Sequence, residues 1–283
     1  TSLTDVTGVQ TCALPISFAG TAVAFWPLAA LLAPFVRAQL RNDPASARTA
    51  LLLWAVALAV LAALGITLER VTPGLWIVVY AGALALMSMT GEAMPFLSGF
   101  WRRPFASAGA VGTVILGLML TYEWPWEEIG WRHLRHGGGH VATAAVFDYA
   151  VAVALPLAAV ARWGLSLVRR TGAVPLAFGA ATVLATASFA IVGTSPAAQG
   201  VVRIVYNVFV AALGGILAAR GILDRRLGEM NAGLLAVAVL VMLRFLDQDV
   251  SFVARGLVFV GLGAALLAAN AVLARRLRRE GTR

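Results

Sequence analysis

"ALLLWAVALAVLAALGITLERVTPGLWIVVYAGALALMSMTGEAMPFLSGFWRR", residues 50–103, holds two long apolar runs, a single Glu69–Arg70 pair between them and a twin arginine at its end. A helix rises 1.5 Å per residue, so about 20 apolar residues cross the ~30 Å hydrocarbon core of a bilayer. Each run reaches that length. The stretch therefore reads as two consecutive membrane spans, and the same alternation of apolar block and arginine joint continues to both sides of it.

Counted outward, nine blocks qualify as spans: roughly 18–36, 49–68, 74–97, 105–122, 142–161, 173–193, 200–219, 230–246 and 252–274. The fold class expected is all-α, a polytopic transmembrane helix bundle of about nine helices, forming one domain over 18–283. Composition agrees: 60% of residues are hydrophobic, only 12% are charged, and the mean hydropathy is +0.87. Soluble domains carry about a quarter charged residues. Pro27 and Pro34 make the first block the least regular, because each removes a helix N–H and clashes with the preceding turn.

The joints test those boundaries independently, because cytoplasmic loops collect cations and outer loops do not. Arg37, Arg41 and Arg48 follow the first block, Arg102 and Arg103 the third, and Arg162, Arg169 and Arg170 the fifth. Arg220, Arg225 and Arg226 follow the seventh, and Arg275, Arg276, Arg278, Arg279 and Arg283 follow the ninth. The intervening joints hold only Arg70, Arg132, Arg135 and Arg255. The N-terminal end is thus expected outside and the C-terminus in the cytoplasm, in the inner membrane of a bacterium. Close helix approach in lipid needs small residues, and Gly109, Gly112, Gly117, Gly214, Gly215, Gly256, Gly261 and Gly263 are placed to supply it.

Several function classes drop out. The net charge of +9 comes entirely from arginine, with no lysine among the 22 basic residues, and these are spread over short joints. Nucleic-acid binding needs them clustered on one soluble face, so the lipid bilayer is the expected partner. No P-loop and no G-x-G-x-x-G after a strand is present, and no cofactor is expected. The only cysteine, Cys12, leaves no material for disulfides.

The segment "TYEWPWEEIGWRHLRHGGGHV", residues 121–141, is the longest outer joint. It reads as an interfacial loop at 123–141 with a short helix: Pro125 at a first helical position, Glu127 and Glu128 near its positive end, Arg132 and Arg135 near its negative end. Glu128 and Arg132 are spaced as an i,i+4 pair, and Gly137 ends the helix. Tyr122, Trp124, Trp126 and Trp131 would form an aromatic belt at headgroup level. His133, His136 and His140 all fall here, beside Glu123, Glu127 and Glu128. Imidazole and carboxylate are zinc ligands, so a metal site competes with a simple solvated loop.

Charges inside spans are costly and mark candidate sites. Glu92, in "SMTGEAMPFLSGFWRR", is placed about a third of the way in from the cytoplasmic side. Gly91 and Pro95 loosen the helix around it, which suits an ion or substrate site or an Arg-paired packing residue. Asp148, Arg203, Asn207, Arg244 and Asp247 sit in the outer third and are expected to cluster, with Asp148 against Arg203 and Arg244 against Asp247.

The C-terminal stretch "EMNAGLLAVAVLVMLRFLDQDVSFVARGLVFVGLGAALLAANAVLARRLRR", residues 229–279, combines an Asn-x-Gly entry, an aromatic/Asp exit and a terminal arginine run. It resembles the end of bacterial multi-pass proteins that carry a domain of unknown function and are described as predicted membrane proteins. That resemblance implies Asn231, Gly233, Arg244, Asp247, Arg255 and Gly256 as family-like positions, and additional N-terminal sequence. It implies no activity. Residues 1–17, "TSLTDVTGVQTCALPIS", match neither the apolar blocks nor the joints. The run from Val6 to Ile16 resembles the translation of a sequencing adapter, so a non-native segment replacing a missing N-terminal region is expected. Three functions remain in view: a non-catalytic integral membrane protein; a transporter or permease using Glu92 and the outer Asp/Arg cluster; and a metal-dependent membrane protein using the histidine loop.

Overall fold

The computed structural model describes residues 22–68, 74–94, 100–127, 129, 143–170 and 172–247, with isolated helical positions between 256 and 271. All elements among them are helical: α1 (Ala22–Asn42), α2 (Ala47–Leu68), α3 (Leu75–Glu92), α4 (Pro104–Met119), α5 (Trp124–Glu127), α6 (Thr143–Val168), α7 (Ala173–Thr194), α8 (Gln199–Leu223) and α9 (Leu227–Asp247). Six of them, α2, α3, α6, α7, α8 and α9, are long and apolar enough to cross a membrane. α4 is apolar but has 16 residues, about 24 Å at a helical rise.

Local chemistry explains the ends. The Ser46 hydroxyl accepts the N–H of Thr49 at 3.1 Å, an N-cap that starts α2. Pro104 occupies the first turn of α4, where its missing N–H costs nothing. Gly74 precedes α3 with φ +83°, a left-handed conformation open to glycine, and the Ile129 side chain fills the space a Cβ would take there.

Three sequence expectations change. α1 runs unbroken through Pro27 and Pro34. α3 ends at Glu92, not near 97, so Glu92 is the last residue of its helix and of its candidate span. The helical part of the interfacial segment among the described residues is the single turn α5, and Trp126 is fully buried within the protein. Glu128, Trp131, Arg132, Arg135, Gly137 and the three histidines lie outside the described residues, as do most of the ninth block, 252–274, and Arg255.

Several of the long helices that surround α3 expose a stripe of large aliphatic side chains. On α8 it is Val201, Ile204 and Val208; on α6 it is Val146, Val153 and Leu157; on α2 it is Leu51 and Leu58. The spacings of three, four and seven residues mark one face of each helix. The opposite faces meet around α3, 67% of whose span is buried. There the backbones touch through small residues. A Cβ on Gly82 would lie 2.8 Å from the Cα of Pro156 in α6, and one on Gly109 would lie 2.6 Å from the Leu84 carbonyl oxygen in α3. α8 and α9 interlock through Gly214, Ala218 and Gly221 against Met230, Gly233 and Val237. Of the glycines proposed from sequence, Gly109 and Gly214 sit in such contacts and Gly112 and Gly117 face the Leu84 and Val210 side chains, whereas Gly215, Gly256, Gly261 and Gly263 meet nothing within 4 Å among the described residues.

The reversals collect the joints at two ends. At one end the Trp54 indole donates to the Trp101 carbonyl at 2.9 Å, bringing the start of α2 to the 101–103 joint. At the other, Gln199 donates to the Trp126 carbonyl at 3.2 Å, joining the start of α8 to α5. Replacing Gly233 by Leu is expected to destabilise the protein in detergent by about 1–3 kcal/mol through overpacking. Gly215→Leu is expected to stay within about 0.5 kcal/mol. Thermal unfolding of the two variants compares them directly.

Candidate functional site

The ends of α3, α6 and α8 and the start of α7 converge where the arginine-bearing joints lie, and a cavity of about 560 Å³ opens between them. Its polar lining is Glu92, Arg162, Ser166, Arg220 and Asp224; its apolar lining includes Met89, Val174, Ile216 and Leu223.

Glu92 anchors one wall. Its Oε2 lies 3.2 Å from Arg103 Nη2 and 3.2 Å from Arg220 Nη2. A carboxylate in the last turn of a helix opposes the negative end of the macrodipole, and the two guanidiniums offset that. Arg103 also donates to the Gly91 carbonyl at 3.3 Å, satisfying an acceptor near the end of α3. Arg220 continues the network through Nε to Asp224 at 3.3 Å and to Glu229 at 3.6 Å. Arg226 completes it with a 2.8 Å bond to Glu229. That hydrogen bond and the attraction of the same carboxylate raise the Arg226 guanidinium above its ordinary value.

The network holds three cations and three carboxylates. Arg162 is not in it: among the described residues it forms no ion pair. Its neighbour Trp163 is locked by a 2.9 Å bond from its indole to the Leu176 carbonyl and packs its ring against Gly179, which fixes the end of α6 against α7. Sequence reasoning assigned Arg162 and Arg220 to joints. α6 and α8 run past the ends drawn for them, to Val168 and Leu223, which carries both arginines onto helices.

One expected pairing among the outer candidates changes. Arg203 pairs with Glu123 at 3.0 Å and not with Asp148. Asp148 is fully buried on α6, which packs on α3 and α7, whereas α8 packs on α9, α4 and α7. Asn207 donates to the Arg203 carbonyl one turn back at 2.8 Å. Arg244 donates to the Thr121 carbonyl at 2.6 Å and lies 4.9 Å from the centre of the Tyr122 ring, a cation–π distance. The side chain of Asp247 lies outside the described residues. Around Trp126 the indole donates to the Leu120 carbonyl at 2.9 Å and the ring meets Tyr206 at 5.6 Å. Trp124 stacks on Trp76 at 6.2 Å. These contacts tie the turn after α4 to α3, α8 and α9, which is an architectural task.

Among the described residues no group of three or more His, Cys, Asp or Glu side chains is placed to hold a metal. No protein-family model matches the chain, and no curated protein or solved structure matches it either. The geometry therefore carries the functional reading by itself, and it points to the cavity at the arginine-bearing end.

The Glu92 side chain is 19% exposed, and those of Arg103 and Arg220 are 15% and 28% exposed. Breaking such a partly buried network falls between the exposed and buried limits for ion pairs. Glu92→Gln is expected to cost about 2 kcal/mol. A double-mutant cycle with Arg220→Gln should show a coupling of about 1–3 kcal/mol.

Proposed function

We propose that the chain is a multi-pass integral protein of the bacterial inner membrane, with its N-terminal end outside, its C-terminus in the cytoplasm, and a binding or scaffolding role in place of catalysis. One observation supports this most: antiparallel helices with aliphatic outer faces gather Arg102, Arg103, Arg162, Arg169, Arg170, Arg220, Arg225 and Arg226 towards one end. Arginine retained on the cytoplasmic side is the ordinary determinant of orientation. The opposite end carries Trp76, Trp124 and Tyr122, the residue types that favour the headgroup region.

The permease reading built on Glu92 has less support. A carboxylate held at 3.2 Å by each of two guanidiniums already has its charge balanced by neighbours, so it acts best as a tie between α3, the 101–103 joint and α8. The metal-dependent reading depends on His133, His136 and His140, which lie outside the described residues.

Orientation is directly measurable. In a Cys12→Ser background, a cysteine at Gly172 or Gly228 is expected to react with a membrane-impermeant maleimide only after the cells are opened. One at Pro196 is expected to react in intact cells. Labelling of Gly172 or Gly228 positions from outside would reverse the orientation, and release of the protein by alkaline carbonate would remove the membrane reading altogether.

A further inference from the structure

We propose that the cavity between α3, α6, α7 and α8 binds the phosphate group of an anionic phospholipid, with Arg162 as the cation that receives it. This deepens the membrane reading above and rests on it.

The argument begins with charge. Of the ionic network, Glu92, Arg220 and Asp224 line the cavity, and each is ion-paired at 3.2–3.3 Å, with Arg103, Glu229 and Arg226 continuing the network beyond the lining at 2.8–3.6 Å. That network of three guanidiniums and three carboxylates is neutral. Arg162 lines the same cavity, is partly buried, and is the cation left over. Its guanidinium forms no ion pair with the carboxylates of the wall, and its fork of donors suits phosphate oxygens.

Size and lining then narrow the ligand class. A volume of about 560 Å³ falls within the range of small-molecule pockets and is much larger than a lone phosphate needs. Met89, Val174, Ile216 and Leu223 make the rest of the wall apolar, and Leu223, at the end of α8, is 81% exposed. A ligand that satisfies both parts has an anionic head and an aliphatic tail. The position agrees, because basic pockets between helices on the cytoplasmic side are where anionic lipid headgroups dock. Free phosphate shares the head chemistry but leaves the aliphatic wall unused.

The test is native mass spectrometry of the detergent-purified full chain after incubation with phosphatidylglycerol or with zwitterionic phosphatidylcholine. One phosphatidylglycerol should be retained in preference to phosphatidylcholine. Arg162→Gln should lower that retention about fivefold, roughly the effect of one basic residue at an anionic surface. Arg162→Lys should keep most of it, and Ala219→Phe, which fills the cavity, should abolish it. Arg48→Gln, an exposed arginine outside the cavity, should leave it unchanged. Equal retention by wild type, Arg162→Gln and Ala219→Phe would overturn the proposal. Displacement of bound lipid by millimolar inorganic phosphate would make free phosphate the ligand and overturn the lipid assignment. Carbonate extraction of the same preparations separates the two levels: protein that stays in the membrane but retains no phosphatidylglycerol defeats this proposal alone.

Discussion

Helices that are apolar on every side cannot choose their neighbours by hydrophobicity, so this fold depends on where backbones can touch. The absence of side chains does the choosing. Gly82 admits Pro156, Gly109 admits the backbone around Ser88, and Gly233 admits that of α8 near Ala218. Each approach brings helix dipoles and carbonyls to distances that a single methyl group would prevent, and dispersion contacts accumulate along the seam. The central position of α3 follows from this, since its small residues Ala81, Gly82, Ala83, Ala85 and Gly91 are buried on several faces.

Once the seams are set, the two ends of the bundle take different chemistry. At the arginine-bearing end, ionic contacts bind the terminus of α3 to those of α8 and α9. At the other end the polar contacts are mostly hydrogen bonds to carbonyls around the turn after α4, with aromatic rings packed on them. The ionic end is the one with an opening.

Much of this was legible in the sequence. Apolar block length and arginine alternation located the eight long helices described between residues 22 and 247, because both signals depend only on local composition. Glycines in apolar blocks pointed correctly to α4 and α8. Partners were not legible. Glu123 and Asp148 are both acids placed in the outer third by the block boundaries, and nothing local says that Arg203 meets the first. That choice comes from which faces of α6 and α8 turn inward, a property of the whole packing. Likewise Trp126 has the composition of a belt residue, and its burial depends on a pocket assembled from α3, α7 and α8 residues far away in sequence. Glu92 was flagged for its cost, but its depth followed from a helix end drawn several residues too late.

The tie at Glu92 also has a temporal side. Arg103 is made almost at once after Glu92, whereas Arg220 is 128 residues further along the chain, a delay on the order of 10 s at ordinary rates of synthesis. During that interval the carboxylate has half of its final counter-charge, and the α3–α4 hairpin is held by its glycine seam and the Arg103 contacts. The ribosome must finish α8 before the early hairpin is clasped from the side, so assembly of this end is ordered by translation itself.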